Sequence, residues 1–168
     1  MRRTGIHWHK SNGRLNLLGV LFDLLIVLHV LAAIVGIGPA FILPVLGKSA
    51  KSGSQLRFIF GIIQKVNKFP KIGGITLLVT GVLLMIVSKI GFSLVWLNIS
   101  LLLFLLIEIL IIGFVEPRMK RTTHLVLSSE GEDIPSGFAE SMKQIAPLES
   151  TVHLFTFAII ALMVLKPF

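Results

Sequence analysis

The chain contains no cysteine, which excludes disulfides, thiolate chemistry, iron–sulfur clusters and cysteine-ligated zinc. Any metal would need histidine or carboxylate ligands. Charge is also scarce. Asp, Glu, Lys and Arg make up 14% of the 168 residues, and only 8 of these are acidic, whereas about a quarter of a soluble domain is charged. The signatures of common catalytic sites are missing too. Gly36-Ile37-Gly38-Pro39 has no Lys-Ser/Thr after it and lipid-like surroundings, so it is not a phosphate loop. Neither a serine nucleophile elbow nor a paired-histidine zinc motif occurs.

What the chain has in abundance is apolar sequence. Hydrophobic residues reach 54% and the mean hydropathy is +0.91, the composition of a membrane-embedded protein. Four segments have the length and character of spans: Leu24 to Leu46, Ile72 to Ser88, Phe92 to Val115, and Val152 to Leu165, the last lengthened to about residue 150. The apolar run from Leu15 to Leu46 is far longer than the roughly 7 to 15 residues of a signal-peptide core, so it reads as a first membrane helix. Lys89-Ile90-Gly91 forms the turn between spans two and three. The expected fold is therefore all-α, a single domain over 1–168 built as a four-transmembrane-helix bundle of two helical hairpins.

The first and third loops are expected to carry interfacial amphipathic helices. In the first, Leu56, Ile59, Phe60, Ile63 and Val66 recur at helical spacing, with Arg57, Lys65 and Lys68 elsewhere. In the polar loop 118–149, a short helix presents Phe138, Met142 and Ile145. The net charge of +8 lies beside apolar segments and does not interleave with aromatics, so it points to anionic lipid headgroups and away from nucleic acid. Counting Lys and Arg beside the spans places both loops in the cytoplasm and both termini outside a bacterial inner membrane, although the basic amino tail opposes this.

Few residues could carry chemistry. At 100° per residue His29, Ala33, Gly36 and Ala40 share one narrow face of the first helix, a seam of small residues where helices approach closely. Gly74, Gly81 and Ser88, with Thr80 beside them, form a similar seam on the second. Pro39 and Pro44 release the carbonyls of Val35 and Ala40, and both need a donor at membrane depth. Straight antiparallel spans bring Asn98 and Ser88 to the depth of His29, and set Glu108 nearer His153 toward the opposite face. His29 is then either a neutral interhelical clasp to Asn98 or Ser88, or a haem ligand. Glu108 is either a proton site with His153 or a protonated acid bonded to a carbonyl. His7 and His9, flanking Trp8, read as a solvated tail or a pair for a stray metal, His124 as exposed, and Asp23 as a cap at the helix entry or an interfacial residue.

LHVLAAIVGIGPAFILP from Leu28 to Pro44, ITLLVTGVLL, and the ending ALMVLKPF resemble an uncharacterised family of bacterial four-helix membrane proteins, a domain of unknown function. That resemblance implies a fold and little more. A more distant similarity reaches membrane-bound, haem-associated protoporphyrinogen oxidases, which also have an early histidine in helix one and a Lys-Pro-Phe ending. Their third helix reads Trp-Leu-His-x-Lys, where this chain has Trp96-Leu97-Asn98-Ile99-Ser100. The activity is not carried over, while His29 keeps a haem or porphyrin site open. The copper-resistance D-type membrane domain, similar in outline, calls for more metal ligands than these helices offer. The expected role is structural or accessory, without catalysis, in a homo-oligomer or with a membrane-protein partner. The alternatives are a haem-binding redox protein using His29 and a small proton-coupled transporter using Glu108.

Overall fold

In the computed structural model, residues 13–90 and 92–167 are described. His7, His9 and Trp8, and Gly91 of the predicted turn, lie outside them. Six α-helices follow one another: α1 (Gly13–Ser49), α2 (Gly53–Val66), α3 (Lys68–Val87), α4 (Val95–Leu110), α5 (Glu116–Leu127) and α6 (Phe138–Leu165), with one π-helical turn at Ile111–Val115 joining α4 to α5. Four continuous helical stretches, Leu17–Ser49, Gly53–Val87, Val95–Leu127 and Phe138–Leu165, are long and apolar enough to cross a membrane. This is the expected all-helical, four-span architecture. Its surface suits lipid, since large side chains such as Leu24, Ile75, Leu102 and Leu154 are exposed.

The helices are longer than the spans read from hydropathy. At 1.5 Å per residue the 37 residues of α1 extend about 55 Å, well beyond a hydrocarbon core of about 30 Å. The predicted amphipathic helix of loop one exists as α2, and Leu56, Phe60 and Ile63 form its buried face. It is nevertheless almost continuous with α3, because Asn67 between them keeps right-handed helical geometry (φ −61°, ψ −9°). Likewise the short helix expected around Phe138, Met142 and Ile145 is the first part of α6. Polar residues at 149–151 lower the hydropathy there without breaking the backbone helix.

α1 pairs with α3, and α4 with α6, as two antiparallel hairpins. The first pair crosses where α1 Gly36 meets Gly73 and Gly74: a methyl on Gly36 would lie 3.1 Å from the Gly73 carbonyl carbon, and one on Gly73 would overlap the Gly36 backbone. Such contact between backbones gives dispersion energy where no hydrophobic effect operates between helices. At one end α2, α5 and the start of α6 build a compact head. Leu56, Phe60, Ile63 and Val126 form its core, and Phe138 packs edge-on against Phe60 at 5.8 Å.

The two loops are joined through this head. Gly53 N–H donates to the Glu132 carbonyl at 2.7 Å, Ser54 to the Glu132 carboxylate at 2.8 Å, and Arg57 to the Gly131 carbonyl at 2.9 Å. Gly53 itself has no room for a side chain, since a methyl there would sit 2.6 Å from the Asp133 carbonyl oxygen. Both polar loops therefore lie on one side of the bundle.

Gly73→Ala should destabilise the protein by about 1–3 kcal/mol through overpacking. Gly61→Ala, where nothing lies within 4 Å, should be neutral or slightly stabilising. Unfolding titrations in mixed detergent micelles would show equal effects if the crossing were not tight.

Candidate functional site

His29 sits on the seam read from its periodicity, but its partner is Thr80. Nδ1 lies 2.8 Å from Thr80 Oγ1, and Gly81 leaves space for the ring, whose Cε1 is 3.3 Å from the position of a Cβ there. The Thr80 hydroxyl spends its one proton on the Thr76 carbonyl at 2.7 Å. With that proton on the Thr76 carbonyl, or on the Leu77 carbonyl at 3.2 Å, the oxygen accepts from His29 in its Nδ1–H tautomer. His29 with Thr80 and Gly36 with Gly73 share one register, seven residues forward on α1 and seven back on α3.

Asn98 and Ser88 are not the partners of His29. Asn98 Nδ2 donates to the Phe92 carbonyl at 2.9 Å, and its Oδ1 is buried without a partner. Ser88 donates to the Met85 carbonyl at 3.2 Å. Because the hairpin register is set by the glycine crossing, the level of His29 on α3 is eight residues, about 12 Å, before Ser88. One ring nitrogen of His29 faces Thr80, and the Cε1 edge of the ring lies against α3 at Gly81.

Glu108 and His153 both line a cavity of about 340 Å³ between the hairpins, to which every helix contributes. A second pocket of about 80 Å³ shares Ala40, Glu108 and His153 with it. His153 Nε2 donates to the Ala40 carbonyl at 3.2 Å, which is the carbonyl released by Pro44 on α1. Its ring stacks on Phe41 with centroids 4.5 Å apart and 11° between planes. The histidine thus joins the two hairpins and supplies the donor that the proline requires.

Glu108 approaches α3 closely: its Oε1 lies 2.7 Å from where a Gly74 Cβ would be, so glycine makes room for the carboxyl. Three residues further on, the chain enters the π turn, in which Glu116 N–H reaches back to the Ile111 carbonyl. Such turns insert one extra residue into a helix and often occur at functional sites. This one sets Glu116 on the same cavity wall, where its carboxylate binds Lys71 at 2.6 Å and Lys120 at 2.8 Å. Glu149 is the third carboxylate on the wall. It lies one helical turn before His153, an i, i+4 spacing that would have revealed it in the sequence. Among the described residues no three of His, Asp and Glu are grouped as a metal site.

Long apolar helices, polar groups turned inward and a cavity between two hairpins define a multi-pass helical membrane protein. Residues 23–167 match the family described as "Predicted integral membrane protein (DUF2269)", and the chain belongs to that family. No curated protein and no solved structure matches it.

Thr80→Val should cost about 0.6–2 kcal/mol, the range of interhelical hydrogen bonds in membranes. In nitrogen NMR of the wild type, His29 should show a neutral ring protonated on Nδ1. An Nε2–H tautomer would contradict the assigned bond.

Proposed function

We propose that the protein is an accessory component of the bacterial cytoplasmic membrane, without catalysis of its own, that holds a small amphipathic cation in the cavity between its hairpins. It acts with a second copy or with another membrane protein. The observation that supports this reading is the convergence of Glu108, Glu149 and His153 on one largely apolar cavity, while Glu116 beside them is already paired with two lysines. Apolar walls with a few converging polar groups are the usual make-up of a small-molecule site. A carboxylate in such surroundings attracts a positive group more strongly than it does in water.

A proton competes for the same carboxyls, which is where the proton-site reading of Glu108 and His153 enters. Protonation removes the negative charge, so cation binding weakens as pH falls. The basic loops support a cytoplasmic head and external termini.

Tetraphenylphosphonium, a permanently charged apolar cation, is a suitable probe for the purified protein. Glu108→Gln and Glu149→Gln should each weaken its binding by about tenfold, or about 1.4 kcal/mol. Unchanged binding in the double variant would overturn the reading. The cysteine-free chain also allows a direct orientation test. Glu130→Cys should resist a membrane-impermeant maleimide in intact cells while Pro167→Cys is labelled, and the reverse pattern would invert the topology.

A further inference from the structure

A second groove, of about 390 Å³, lies between α5 and α6 beside the π turn, lined by Arg118, Arg121, Thr122, Ser141 and Gln144 together with Gly113, Phe114 and Pro117. No carboxylate lines it. Glu140, next to Ser141, is exposed outside the groove, and Glu116 is occupied by Lys71 and Lys120. Among the described residues neither arginine has a carboxylate partner.

Arg118 is held in place. One of its guanidinium nitrogens donates to the Phe114 carbonyl at 2.9 Å, and the group lies over the Phe114 ring, 5.8 Å from its centroid. A guanidinium has five N–H donors, so the remainder can meet an anion. One arginine held in place, with exposed Arg121 beside it in the same groove, calls for a negative partner where the apolar span reaches the polar head. The same end exposes Ile112, 62% accessible, and Phe114, 45% accessible, next to the arginines. An occupant that met both features would carry an anionic phosphate and, attached to it, an apolar chain.

We infer that this groove binds the headgroup of an anionic phospholipid, with Arg118 and Arg121 on the phosphate, Ser141 and Gln144 available to the headgroup's polar substituents, and an acyl chain along Ile112 and Phe114. Arginine suits this role because its planar fork matches phosphate oxygens two at a time. The headgroup groove shares no lining residue with the inter-hairpin cavity, although Ile112 under the acyl chain also lines that cavity, and the neutralised charge lets α5 enter the headgroup layer beside α6.

Native mass spectrometry of the full chain, released from nanodiscs of equal phosphatidylglycerol and phosphatidylcholine, tests the assignment. Wild type should retain phosphatidylglycerol preferentially. Arg121→Gln should reduce that preference by about fivefold and the Arg118→Gln/Arg121→Gln pair by on the order of thirtyfold, following the usual gain per basic residue at an anionic surface. Since Arg118 also holds a backbone carbonyl, the Arg121 variants decide the matter if the pair misfolds, and Arg121→Lys, which keeps the charge but loses the fork, should fall between wild type and Arg121→Gln. A Lys51→Gln/Lys65→Gln control should keep it entirely. An equal loss in that control would show general attraction to charge and overturn the site. Displacement of the lipid by millimolar inorganic phosphate would show a soluble-anion site and also overturn it, whereas retention under phosphate supports the lipid.

Discussion

The close crossing of α1 and α3 at Gly36 and Gly73 is the contact on which the other polar arrangements depend. In a bilayer, lipid tails are as apolar as leucine, so helices gain little from merely hiding apolar surface from one another. Association has to come from backbone approach and from the few groups that cannot face lipid. The glycine crossing supplies the first. Once it fixes the register, His29 meets Thr80 on one side of it. At the crossing itself, Gly74 leaves room for the Glu108 carboxyl.

From that register the site follows. Pro44 releases the Ala40 carbonyl into the space between the hairpins, and His153 of the second hairpin fills the vacancy. The same histidine stacks on Phe41 of α1, so it joins the hairpins by a hydrogen bond and by an aromatic face. A cavity remains beside this junction because the wall bears Pro44, Pro70, Gly47 and a π turn, where regular helices with larger side chains would close it. The tied loops at the head hold the polar ends of both hairpins together.

Much of this could be read from the sequence, and the rest could not for identifiable reasons. The face carrying His29, Ala33, Gly36 and Ala40 follows from 100° per residue alone, as does the buried face of α2. The need for a donor at Ala40 follows from Pro44, although which side chain would supply it does not. Register was beyond reach, because it depends on where two helices cross; hence Ser88 and Asn98 stood in for Thr80, with an error of about two helical turns. Hydropathy underestimated α6 since Glu149, Ser150 and Thr151 are polar, yet these residues sustain a helix. Glu149 was legible as the i−4 neighbour of His153. The π turn left no trace in the pattern, since it shows only as an extra residue between faces that must both meet a partner.

The central claim is that the polar residues of the spans turn toward one another and away from lipid. Nitroxide labels placed singly on the cysteine-free chain in nanodiscs, with accessibility to dissolved oxygen read by electron paramagnetic resonance, measure this directly. Labels at Glu108, Glu149 and His153 should be shielded, while those at Leu105 and Leu154, exposed on the outer surface, should be readily reached. Equal oxygen accessibility at all five positions would contradict the account.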